Sequence, residues 1–393
     1  MSAVVDSTLA GANGPDNFLY VSVTVCQPGT QTCATVDDVQ VSTATSGLRI
    51  LASALPAGFT LTPEPDPAAS GNTLAECYQL PQGTAWGNVA TADVQIGGET
   101  ASSVPIQIVS NPAANPAATC ADNGWLTTVG ALSANGVLGI GPLAQDCTGA
   151  GCTNQYFTCQ TTAGGVVNCQ QNVSAAPGTT AEVTNPVTLF ATDKNGVIIT
   201  LPTVDPNAGA ASGLAGTITF GIGTQADNAY NGAATAYSAD PGTGAVTTSY
   251  ASVTTGSTAV NYTSWFDTGS DAFFFPDSGI TTCPETAVKE FYCPAQPLSL
   301  TASVSGAGSP AGGSPPAVNF TVVSADTLNA TPSAAFSSLA ANSPPNPDFG
   351  SFGAGMSFIW GIPFFYGKTV FIAYPGASIA GDGGAMLTGP FYA

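Results

Sequence analysis

Apolar residues in this chain recur at every second position far more often than at helical spacing. Short runs of Val, Thr, Ile and Phe alternate with clusters of Gly, Pro, Asn and Asp. That pattern predicts a mainly β protein with few short helices. Residues 19–25 predict a strand, 26–30 its turn and 34–41 the returning partner. Lys194-Asn195-Gly196 predicts a hairpin turn between strands at 187–191 and 197–201. Further strands are expected at 216–223 and 369–373. Short helices are expected at 284–290, with Pro284 near the start, and at 333–341. Residues 146–171, rich in Cys and Gly, read as a surface excursion, and 310–316 as a loop. Residues 202–213 are rich in Pro, Ala and Gly. They are the expected passage between two lobes, 1–202 and 203–393.

One stretch carries more than a packing pattern. Trp265-Phe266-Asp267-Thr268-Gly269-Ser270 runs an apolar strand into a tight loop and leaves through Phe273-Phe274-Phe275. A carboxylate held at the end of a buried strand is unfavourable and is usually kept for a reason. The plain alternative is a surface turn, since Asp-Thr-Gly is common turn chemistry. The same layout occurs earlier, where Val39-Gln40-Val41 enters Ser42-Thr43-Ala44-Thr45 and Leu48-Arg49-Ile50-Leu51 leaves it. This first copy has neither the carboxylate nor the glycine. Val137-Leu138-Gly139 and Ile359-Trp360-Gly361 drive apolar residues into a glycine, as where two backbones approach closely.

Composition narrows the chemistry. Only 7% of residues are charged, far below the usual quarter, while 44% are hydrophobic. The formal net charge is -20, with 4 basic and 24 acidic residues. Such a chain repels a phosphate backbone, which excludes nucleic-acid binding and disfavours an anionic membrane surface. In acid the carboxylates protonate and only about +4 remains, a mild self-repulsion that suits an acidic extracellular setting. There is no histidine, so Ser-His-Asp and Cys-His triads and His-based metal sites are excluded.

The 10 cysteines form an even set with no Cys-x-x-Cys pair, which favours disulfides over zinc. Four sequential pairs close short loops: Cys26-Cys33, Cys147-Cys152, Cys159-Cys169 and Cys283-Cys293. Cys77-Cys120 remains as the fifth. No signal peptide or membrane span is evident. Met1-Ser2-Ala3 reads as a start placed before a mature chain whose export signal has been removed. The expected location is extracellular, periplasmic or cell-surface.

Taken in order, these motifs resemble the pepsin-like aspartic peptidases. The second half matches in Asp267-Thr268-Gly269-Ser270 and Ile359-Trp360-Gly361. The first half matches in Leu138-Gly139 and in a flap-like hairpin at about 78–98. There Gln82, Gly83 and Trp86 lie near the tip, and Leu80 falls where the family usually has a tyrosine. The nearest likeness is to a bacterial family of secreted or surface proteins of unknown function that are distantly pepsin-like. The runs 20–26 and 361–367 look typical of it.

The resemblance implies a two-lobed pepsin-like fold, a central cleft and no cofactor or metal. It implies Asp267 as one catalytic carboxylate, with Ser42 where its partner belongs. Thr268, Gly269, Ser270, Thr43 and Thr45 are the implied supporting residues, with Ser270 and Thr45 bonding the opposite loop. A dyad needs two carboxyl groups sharing one proton, and a hydroxyl cannot exchange that proton at working pH. Asp37 and Asp38 lie too far along an extended strand to substitute. The expectation is an impaired peptidase fold that binds a peptide or other ligand in its cleft or serves a structural role. An acid endopeptidase using Asp267 with an unorthodox partner is the alternative. Oligomeric state is not legible.

Overall fold

A computed structural model covers the chain and describes residues 1–6, 17–80, 82–110, 120, 124–147, 155–161, 167–171, 181–230, 232, 234–252, 256, 258–284, 290–307, 315–342, 357–381 and 386–393. Strands dominate it. The first half builds a long antiparallel-rich sheet. Strand Phe18–Cys26 pairs with Cys33–Ser42, whose buried alternate positions Val36, Val39 and Val41 face the core. Cys33–Ser42 also pairs in parallel with Gly136–Ile140, Ser42 lying opposite Gly139. Gly136–Ile140 then pairs antiparallel with Ser46–Leu51. One strand is thus wedged between the two arms of the Ser42 loop.

The second half repeats the device. Val260–Phe266 pairs in parallel with Ser357–Trp360, which pairs antiparallel with Phe273–Phe274. Glycine lets the wedge approach each loop. A Cβ on Gly361 would lie 2.0 Å from the Ala272 carbonyl oxygen, and one on Gly139 would lie 2.7 Å from Ser46 backbone atoms. An antiparallel sheet made from the beginning, middle and end of the chain joins the halves. Its order is Phe391–Tyr392, Thr369–Ala373, Gly196–Thr200, Leu214–Phe220, Ser2–Asp6 and Phe18–Cys26. The apolar core runs through it from Val5 and Val21 to Ile199 and on to Phe358 and Trp360. In the second half the core is aromatic: Phe275 stacks on Phe358 with centroids 5.2 Å apart, and Phe320 meets Trp360 edge-on at 5.4 Å.

The mainly β prediction holds, and so do the strands at 19–25, 34–41, 197–201, 216–223 and 369–373 as elements. Three expectations fail for identifiable reasons. Residues 187–191 are not a strand. Pro186–Leu189 is a 3₁₀ turn, with Pro at its first position and the Asn185 side chain accepting the Val187 N–H. Lys194-Asn195-Gly196 is therefore no hairpin turn. Residues 333–341 are not a helix, although Ala and Leu favour one. Their N–H groups go instead to tertiary partners: Ala334 and Ala335 to the Ala210 carbonyl, and Phe336 to the Asn17 side chain. A short helix forms at Ala325–Asn329 instead. Residues 146–171 are not merely a surface excursion. Within them Tyr156–Thr161 pairs with Val167–Gln171 and with Thr73–Leu80, and Tyr156 and Phe157 are fully buried.

Four expected disulfides are formed: Cys26–Cys33, Cys77–Cys120, Cys159–Cys169 and Cys283–Cys293. Cys152, the expected partner of Cys147, lies outside the described residues, as do most of the helix expected at 284–290 and of the loop at 310–316. Among the described residues no helix is long and apolar enough to cross a membrane.

Because the Gly361 site is closed by backbone, Gly361→Ala has nowhere to place its methyl group. We expect it to lower stability by about 3 kcal/mol in urea unfolding. A loss below about 0.5 kcal/mol would show that the wedge is not tightly held.

Candidate functional site

The two loops meet at the ends of their strands, where Asp267 and Ser42 are both buried. The Ser42 hydroxyl donates to Asp267 Oδ1 at 2.9 Å. Three backbone N–H groups converge on the same oxygen: Gly269 at 2.9 Å, Thr43 at 3.1 Å and Ala44 at 3.2 Å. Ser270 donates its hydroxyl to Oδ2 at 2.8 Å. Every one of these contacts is given to the carboxylate, and hydrogen bonds to a charged acceptor are the strong kind. Among the described residues, the only ion pairs are those of Arg49, so Asp267 is held by neutral donors rather than by a cation.

The asymmetry follows from the sequence. Gly269 gives its N–H to the carboxylate of its own loop. Ala44, at the matching place, has no carboxylate in its own loop, and its N–H crosses to Asp267 instead. The Thr45 N–H goes to Ser42 Oγ at 3.2 Å. Gly269 must lack a side chain because a Cβ there would lie 2.7 Å from Ser42 Cβ. Ala44 has no such conflict.

Two threonines lock the loops together. Thr43 Oγ1 donates to the Phe266 carbonyl at 2.7 Å and accepts the Thr268 N–H at 3.1 Å. Thr268 Oγ1 donates to the Val41 carbonyl at 2.7 Å. Gln40 adds a bond to the Gly269 carbonyl at 3.2 Å. The cross-loop bonds expected of Ser270 and Thr45 are therefore not made by them. Ser270 serves its own loop, and the buried Thr45 Oγ1 has no partner.

The hairpin that the sequence places at about 78–98 is built by Thr73–Leu80 and Gly83–Ile96, with Leu80 opposite Gly83. Gln82 is exposed at its tip, and Gly83 adopts a φ of 150° with no room for a Cβ, which would lie 2.3 Å from the Gly124 carbonyl oxygen. Trp86 is on this hairpin. Its ring is buried edge-on against Phe157 at 5.1 Å, beside Cys77, Cys120 and Cys159, and packs as core. Asp37 accepts the Ser22 hydroxyl on an exposed face, and Asp38 sits in the left-handed region at φ 53°. Neither bonds Asp267.

Beside the site lies a charged cluster that no motif announces. Arg49, fully buried, gives Nη2 to Glu76 Oε1 at 2.6 Å and also to Asp146 Oδ2. The Tyr78 ring covers the guanidinium carbon at 3.4 Å. Arg49, Asp146 and the strand that carries both Glu76 and Tyr78 lie far apart in sequence, which hides the cluster. The available signal is Arg49 itself, a lone cation inside Leu48-Arg49-Ile50-Leu51, where a buried charge demands partners.

Comparison with known proteins agrees with this architecture. The chain belongs to the family described as "Protein of unknown function (DUF3443)", whose model matches residues 1–393. No curated protein matches it. Among solved structures it is similar to the aspartic proteinase from Irpex lacteus, with a TM-score of 0.52 and 14% identity. That match covers 100% of this chain and 96% of the other. At this identity the likeness shows the fold: a pepsin-like one, two-lobed about a central cleft.

Removing either threonine hydroxyl strands a buried carbonyl and breaks the lock. Thr43→Val and Thr268→Val are each expected to cost about 1–3 kcal/mol of unfolding free energy. A thermal melt in which both variants match the parent would show that the loops are held by other means.

Proposed function

We propose that this chain is an exported protein with a pepsin-like fold whose peptidase chemistry is lost and whose cleft binds an extended peptide or similar ligand. Each lobe, 1–202 and 203–393, brings one loop to the junction. The observation that carries the reading is the bond from Ser42 Oγ to Asp267 Oδ1 at 2.9 Å. A hydroxyl stands where a second carboxyl is required, and it is hydrogen-bonded to the remaining one.

Activating a water between two carboxyl groups needs one of them as base and the other as acid. Among the described residues, Asp267 is the sole carboxyl group in the hydrogen bonds of the junction. Ser42 can orient a water or a ligand carbonyl but cannot deliver its proton at working pH. The binding part of the machinery does not depend on that proton. Asp267 and the hairpin still offer hydrogen-bonding groups along a cleft, and strand-like ligands are held largely through main-chain bonds. Export is supported by the disulfides, which form in oxidising compartments.

The test is digestion of an acid-denatured protein, with a peptide library as the binding probe. The wild-type chain is expected to cleave nothing above the Asp267→Ala background, while retaining peptides whose affinity falls about tenfold in Asp267→Ala. Ser42→Asp combined with Ala44→Gly should gain acid proteolysis. Wild-type cleavage abolished by Asp267→Ala would instead establish an endopeptidase and end the proposal. Absence of any peptide retention would leave the fold with a structural role.

A further inference from the structure

The Arg49 cluster contains two buried carboxyl groups and one cation, and its bonding has a consequence for protons. Glu76 Oε1 and Asp146 Oδ2 share both of their donors. Arg49 Nη2 reaches each, and Gln155 Nε2 reaches Glu76 at 3.0 Å and Asp146 at 2.8 Å. Oxygens that share two donors are neighbours. Two carboxylates are acceptors only, so two neighbouring buried carboxyl groups that share one cation favour a proton on one of them. The Tyr156 hydroxyl donates to Asp146 Oδ1 at 2.8 Å while accepting the Val183 N–H at 2.7 Å. Its position is therefore fixed from both sides. Arg49 is held in turn by the Ser46 carbonyl at 2.9 Å. Glu76 Oε2 and Arg49 Nε have no partner. Among the described residues the network has no second cation.

We propose that Glu76 and Asp146 form a buried proton-binding site that holds one proton between them, and that this proton makes the fold acid-favoured. Arg49 balances the remaining carboxylate, so the protonated cluster is neutral. With the proton removed, two carboxylates would face one guanidinium where water cannot reach, an unpaired buried charge.

The groups packed around the pair come from every neighbouring element. They are Arg49 on Ser46–Leu51, Tyr78 on Thr73–Leu80, Gln107 on Glu99–Val109, Gln155 and Tyr156 beside and on Tyr156–Thr161, and the buried Glu182 next to Val183. Gln107 bonds the Glu76 carbonyl at 2.9 Å. Burial and then the charge of Glu76 push the Asp146 carboxyl well above its usual range, against the opposing pull of Arg49. Burial pushes the Tyr156 and Tyr78 hydroxyls up as well, so they stay protonated donors. Burial opposes the charge on Arg49, but Glu76, Tyr78 and Asp146 hold it protonated.

The sign follows from linkage. In the unfolded chain Asp146 releases its proton near pH ~4, whereas the folded chain retains it. Stability from this site is complete below that pH and is lost as pH rises towards the raised folded value. One retained proton corresponds to a loss of up to about tenfold in the folding constant per pH unit.

The experiment is urea unfolding at a series of pH values from acid to neutral, for the parent and for Asp146→Asn. Asparagine keeps the shape of the protonated acid and cannot titrate. Relative to the variant, the parent folding constant should fall by up to about tenfold per pH unit through the mildly acidic range. Parallel curves for the two proteins would overturn the proposal. Should Asp146→Asn fail to fold, the infrared spectrum of the native parent at mildly acidic pH decides. A protonated carboxyl C=O band that persists supports the site, and its absence refutes it.

Discussion

One oxygen atom organises this molecule. Asp267 Oδ1 accepts from Ser42, Thr43 and Ala44 of one loop and from Gly269 of the other. A buried carboxylate is stable only if such donors are supplied, and here half of the fold supplies most of them. That single requirement explains why the loops must touch, why Gly269 has no side chain and why Gly139 and Gly361 admit a wedging strand behind each loop. The threonine lock holds the distance at which those donors reach. The joining sheet, woven from both ends and the middle of the chain, fixes the larger frame.

The chain uses very few charges and buries several of them. It does so in two different ways. Asp267 is surrounded by neutral N–H and O–H donors, and Asp277 likewise accepts from Tyr250 at 2.6 Å and Ser252 at 2.7 Å. The Arg49 cluster instead relies on an ion pair and a shared proton. The first arrangement surrounds the Asp267 carboxyl group with neutral donors where the two loops meet. The second closes a carboxyl pair inside the lobe, where Arg49 balances one charge and a proton the other. Neither arrangement needs a surface rich in lysine.

Much of the fold was legible because alternating Val and Thr runs leave little room for another period, and because loop and wedge glycines recur in the same order in both halves. The Asp267 loop was legible from its apolar flanks, and the Ser42 loop from its matching layout. What local sequence could not give was set by distant partners. Residues 333–341 have helical composition, but Ala210 and Asn17 take their N–H groups. Residues 187–191 look strand-like, but Asn185 and Pro186 turn them. Trp86 is apolar on a hairpin, and only the neighbouring strand with Phe157 decides which way it packs. The Arg49, Glu76 and Asp146 cluster joins three segments with no common motif, so only the lone cation in an apolar run pointed to it.

In this pepsin-like frame the Asp267 carboxyl group accepts the Ser42 hydroxyl where the two loops meet. A neutron crystal structure grown in acid reads that arrangement atom by atom. The account predicts the Ser42 hydroxyl hydrogen directed at Asp267 Oδ1 and no second carboxyl group within hydrogen-bond reach of Asp267. A second acid sharing a proton or a bridging water with Asp267 would contradict it.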